Sequence, residues 1–189
     1  MLNKIISLSK NAQVDFIIKL AIAAGLLLLL GPVVLDIKGT VPITLQSLVV
    51  LLGAIAFGWR VGVIAVLIYI VAGACGLPVF AGYKGGADAL MGPYGGFFFG
   101  FIAAAVICGY ISEKEGFHKP IPAMMVWFLG HAVIILFGMI WIYRFDPLGW
   151  KEKLQAIIPG AVIKSVFGAL FIQLIIRFFT YQKKRAFEE

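Results

Sequence analysis

Six apolar blocks, separated by short polar or charged joints, leave this 189-residue chain few folds to adopt. They run Phe16 to Leu35, Ile43 to Phe57, Val61 to Gly76, Gly95 to Ile111, Ile121 to Tyr143 and Ile157 to Phe179. A helix crossing a bilayer needs roughly 17 to 25 mostly apolar residues. In hydrocarbon the backbone must satisfy its own polar groups, which restricts blocks of this kind to helices. The pattern predicts an all-α, polytopic membrane protein with six transmembrane helices. The second and third blocks are short and joined only by Gly58-Trp59-Arg60, the signature of a tight helical hairpin. With no long insertion, residues 1–189 read as a single domain.

In a soluble chain a net charge of +7 would suggest a nucleic-acid partner. Here the cations fall between apolar blocks, where topology accounts for them, and no nucleic acid is implied. Lys4, Lys10, Lys19, Arg60, Lys114, Lys119, Arg177, Lys183, Lys184 and Arg185 fall on one side. Lys38, Lys84, Arg144, Lys151 and Lys153 fall on the other. The richer side is expected to be cytoplasmic, with both termini, in a multi-pass protein of the plasma membrane. No A-x-A-like site follows Leu35, so the first block reads as a retained span rather than a leader. Cys75 and Cys108 fall near opposite faces of the bilayer, too far apart for a disulfide, and without His at ligand spacing they make no metal site. No cofactor is expected.

Lys164 interrupts the sixth block. A cation at that depth costs roughly 2.5 to 3.5 kcal/mol on insertion scales and normally faces a bundle interior, a cavity or an anion. Snorkelling of the stem to the interface is the competing explanation. Lys164-Ser165 resembles the end of a nucleotide-binding phosphate loop, but Ile163 stands where that loop needs Gly. Lys164 is expected in the half of the bilayer nearer the outside.

The segment Gly76 to Gly86 is apolar, yet its Gly and Pro content excludes a continuous helix. It is expected to form a Gly-rich outer loop between helices three and four that folds back on the protein. Asp88 and Gly92-Pro93-Tyr94-Gly95-Gly96 follow, as a turn into the fourth span. Gly96, Gly100 and Ala104, and separately Ala21 and Gly25, are small residues at four-residue spacing that let helices approach closely. His131, in mid-span, reads as a neutral structural histidine.

The ordered runs Val41-Pro42-Ile43-Thr44-Leu45-Gln46, Gly76-Leu77-Pro78-Val79-Phe80, Gly92-Pro93-Tyr94-Gly95-Gly96-Phe97 and Pro159-Gly160 before Lys164 resemble the BioY family of biotin transport proteins. The resemblance implies the S component, or substrate-capture subunit, of an energy-coupling-factor (ECF) transporter. Such a subunit works with a transmembrane coupling protein and ATPase subunits, and is not itself an enzyme. The family's Ala-x-x-x-Ala coupling face on the first helix would correspond to Ala21 and Gly25. The family pattern Gly-Asp-x-x-Lys keeps Gly160 and Lys164, but Ala161 stands in place of the acid.

Biotin's carboxylate needs a cation, which Lys164 or Lys84 can supply. Its rings need apolar walls and a few polar groups. Phe80, Tyr83 and Tyr94 are candidate walls, and Gln46 or Asp88 are candidate partners of the ureido group. The loss of the acid at Ala161 leaves open another small carboxylate, such as a biotin precursor or lipoate. A membrane-embedded enzyme using His131 is a third reading, for which the spans offer no companion acid.

Overall fold

The computed structural model describes residues 6–35, 43–115 and 120–188. Lys4, Lys38, Val41, Pro42 and Lys119, named above, lie outside the described residues. The elements in chain order are α1 (Ala12–Leu30), β1 (Val34–Leu35), β2 (Ile43–Thr44), α2 (Gln46–Phe57), α3 (Trp59–Ala74), α4 (Ala87–Met91), α5 (Gly96–Glu115), α6 (Pro120–Phe145) and α7 (Trp150–Glu188).

Helix α1 begins where Asn11 Oδ1 accepts from the amides of Gln13 at 2.9 Å and Val14 at 3.3 Å. Asp15, in its first turn, accepts from Leu8 N at 2.6 Å and pairs with buried Lys19 at 2.6 Å, which ties the preceding segment down. The helix ends before Pro32, which has no amide donor and disfavours helix in the residue before it. The apolar block predicts a helix as far as Leu35. Instead, Val34 and Leu35 pair with Thr44 and Ile43 in a short antiparallel ribbon. The second block likewise gives its first residues to the ribbon, and α2 starts at Gln46.

Among the described residues four helices are long and apolar enough to cross a membrane: α1, α5, α6 and residues Trp150–Gln182 of α7. The apolar helices α2 and α3 have 12 and 16 residues, about 18 and 24 Å against a hydrocarbon core of roughly 30 Å. Only Gly58 separates them, at φ 91°, a conformation that favours glycine. Helix α7 has 39 residues and overruns the predicted sixth block at both ends, because charged residues outside the apolar stretch are still helix formers.

Helix α2 packs against α1, α3, α5, α6 and α7, which makes it the centre of the bundle. Nine of its residues are buried, Gln46 and Ser47 among them, as befits a helix that is apolar nearly all round. Close approach at small residues holds the other helices. A Cβ at Gly109 of α5 would lie 2.6 Å from Trp59 N of α3, and one at Gly100 would lie 2.9 Å from the Ile134 backbone of α6. Large apolar side chains such as Ile17, Leu29, Val71, Met125, Ile140 and Leu174 point outward, as lipid contact requires.

The segment after α3 folds back on the bundle. Phe80 and Lys84 form an antiparallel bridge, Gly82 N donates to Pro32 O at 2.9 Å, and Gly86 N donates to Gly73 O at 2.7 Å. Gly82 and Tyr83, at φ 73° and 59°, make the turn.

Candidate ligand-binding site around Lys164

Helix α7 carries Lys164 half-buried against α2 and the ribbon. Its ammonium donates to Ser47 Oγ at 2.7 Å and to Thr44 O at 3.3 Å. The ribbon lies close there, since a Cβ at Gly160, one turn earlier on α7, would meet Ile43 at 3.4 Å. Among the described residues no carboxylate pairs with Lys164; the ion pairs are Lys19 with Asp15 and Lys153 with Asp146. Ala161, where the resemblance leads one to expect an acid, is buried. Among the described residues the cation is held by two neutral oxygens.

Ser47 leads further inward. Its hydroxyl lies 3.3 Å from His131 Nε2 on α6, while His131 Nδ1 lies 3.1 Å from Trp127 O and 2.9 Å from Ser165 Oγ. An ammonium only donates, so Ser47 Oγ accepts from Lys164 and its own proton is free to go to Nε2. Nδ1 faces a carbonyl, which only accepts, so the ring proton belongs there. The bonds therefore run in one sense from Lys164 through Ser47 to His131 and Trp127 O. Trp127 stacks on the imidazole with centroids 6.3 Å apart, and its ring fills the place a side chain at Gly168 would take.

Gln46, beside Ser47, is buried and donates from Nε2 to Tyr69 OH on α3. Tyr69 packs edge-on against Phe80, with centroids 5.4 Å apart, and Phe80 lies 4.6 Å from Phe98. Phe80 is thus buried in an aromatic cluster that connects the loop to the core. Lys84, Tyr83, Asp88 and Tyr94 are exposed around that loop and α4, and none forms a hydrogen bond or ion pair with Lys164 among the described residues. Ala21 is exposed on α1, and Gly25 has no atom within 4 Å of where its Cβ would stand.

The structure thus brings Gln46, Ser47, Thr44, His131 and Lys164 to one end of α2. Of these, Lys164 and Gln46 are candidates from the sequence, His131 reads there as structural, and Ser47 enters only with the structure. The available signal was a pair of polar residues, Gln46-Ser47, opening an otherwise apolar helix.

Fold and site together define a multi-pass helical membrane protein whose polar cluster is organised around one cation. The chain belongs to the BioY family, whose model matches residues 5–181. Biotin transporter BioY2 of Lactococcus lactis subsp. cremoris is 29% identical over 179 residues, covering 93% of this chain and 97% of the relative. Biotin transporter BioY of Rhizobium etli is 36% identical over 140 residues, covering 69% and 75%. A crystal structure of the S-component for biotin from an ECF-type ABC transporter shares the fold, with a TM-score of 0.79 at 22% identity over 90% of this chain and 95% of that one.

Proposed function

We propose that this chain takes up biotin as the S component of an ECF-type transporter, with Lys164 receiving the vitamin's carboxylate. Membership of a family of biotin transporters supports the substrate and the transport role. The observation that carries the site is the set of neutral acceptors on Lys164. An ammonium that meets no carboxylate among the described residues, and is partly withdrawn from water, gains most from a ligand that brings the anion itself.

On this reading the six apolar helices, including short α2 and α3, make the transmembrane unit, both termini are cytoplasmic, and the loop after α3 lies on the outer side. Gln46 meets the ureido group, Phe80 with Tyr83 and Tyr94 supplies apolar wall, and Lys84 and Asp88 set the charge at the mouth. The open space at Gly25 and the exposure of Ala21 favour that face of α1 as the seat of the coupling protein, which links the subunit to its ATPases.

A second reading, another small carboxylate in place of biotin, is favoured by Ala161 alone. Titration of purified protein with biotin, followed by competition with lipoate and with an acyclic biotin precursor, tests both. Tight binding of biotin with weak competition supports biotin as substrate, and stronger binding by either competitor overturns it. The enzymatic reading requires an acid at His131, whose partners are instead Ser47, Ser165 and a carbonyl.

A further inference from the structure

The lysine stem has four rotatable carbons, and a cation that is to meet a carboxylate at a fixed place must be held in one direction. Two of the three ammonium donors are engaged, one by Thr44 O and one by Ser47 Oγ, which fixes where the third N–H points. The Thr44 backbone is placed by the ribbon, in which it stands opposite Val34, next to the bond from Leu45 N to Val33 O. Ser47 Oγ needs its own restraint, because a serine hydroxyl on a helix rotates among three rotamers and is drawn toward the carbonyl one turn back. His131 Nε2 supplies that restraint, at 3.3 Å. The imidazole is fixed in turn by Trp127 O, by Ser165 and by stacking on the Trp127 ring. Ser165 adjoins Lys164 in sequence, so the bonds leave α7 at one residue and return at the next through α2 and α6.

We propose that Ser47 and His131 are positioning residues for ligand binding: the imidazole orients the Ser47 hydroxyl, and the hydroxyl aims the Lys164 ammonium at the ligand's carboxylate. Neither residue touches the ligand in this scheme. The proposal rests on the reading of Lys164 as the carboxylate's partner, and it assigns a function to two polar groups otherwise explained only as satisfied core residues. It also accounts for a lysine that holds its place without an acid at position 161. Two neutral acceptors fix its direction without neutralising its charge.

The test compares biotin with biotinamide, in which the carboxylate is replaced by an uncharged amide. Dissociation constants are measured for the purified wild-type protein and for Ser47→Ala, Ser47→Thr, His131→Leu and Lys164→Ala. Wild type is expected to prefer biotin. Ser47→Ala and His131→Leu are expected to reduce that preference roughly tenfold, with affinity for biotinamide nearly unchanged, and Ser47→Thr is expected to restore it. Equal losses for both ligands would mean a purely structural role and would overturn the proposal. If Lys164→Ala removes the preference while Ser47→Ala and His131→Leu keep it, positioning fails and the carboxylate reading of Lys164 stands. If Lys164→Ala itself keeps the preference, that reading fails first. Nitrogen NMR of His131 in the wild-type protein gives a check independent of variant folding. A proton on Nδ1 and a bare Nε2 are expected, with the Nε2 resonance moving on addition of biotin and not of biotinamide; the opposite tautomer would overturn the scheme.

Discussion

Lys164 Nζ donates to Ser47 Oγ at 2.7 Å and so joins the last helix of the chain to the one at its centre, across 117 residues of sequence. A half-buried cation whose partners among the described residues are neutral oxygens stabilises the fold little, because desolvation opposes the hydrogen bonds it makes. Lys164→Met should therefore leave thermal stability in detergent unchanged or slightly raised. Biotin at about 100 times its dissociation constant should stabilise the wild-type protein by roughly 2.7 kcal/mol and should shift the Met variant far less. Thermal unfolding with and without biotin measures both effects.

The small residues on α5 and α1 should respond differently to one added methyl. At Gly109 a Cβ would meet backbone atoms of Trp59, which cannot move aside as a side chain end can. Gly109→Ala is expected to cost about 1 to 3 kcal/mol. Gly25 has open space at the same point, and Gly25→Ala should unfold at the wild-type midpoint or slightly above it.

A larger side chain at Gly25 should separate partner docking from ligand binding. Gly25→Leu is expected to fold and to bind biotin like wild type, yet to lose co-purification with the coupling protein and ATPases. Retention of the complex would place the coupling face elsewhere.

Asp146 lies in the turn between α6 and α7, where it accepts from Lys153 Nζ and, at 2.8 Å, from Gly149 N. The bond from Lys153, followed by that from Gly149, holds its pKa below the ordinary carboxylate value. A carboxylate lowered in the folded state stabilises the turn at neutral pH, and the contribution disappears as pH falls through the lowered value. The Gly149 amide resonance should move with a midpoint below that of an unpaired aspartate, and Asp146→Asn should abolish the step.

The apolar blocks made the helical class and most element positions legible, because spanning helices are marked by length and composition together. The ends were less so. Val34, Leu35, Ile43 and Thr44 are apolar or β-branched and extend the blocks on either side, yet Pro32 stops the helix and lets them pair as a ribbon. Trp150 to Ala156 contains charges that end an apolar block without ending a helix. At the site, Lys164 was legible as a charge in an apolar run. Ser47 was not, because a lone serine in a membrane helix is common, and its significance comes from tertiary contacts with residues 84 and 117 positions away.

Isothermal titration of biotin into the purified wild-type protein and the Lys164→Ala variant tests the central claim most directly. Wild type is expected to bind biotin and the variant to bind it about 10 to 100 times more weakly, the loss expected for one charge-assisted contact. Equal affinity in the two proteins would contradict it.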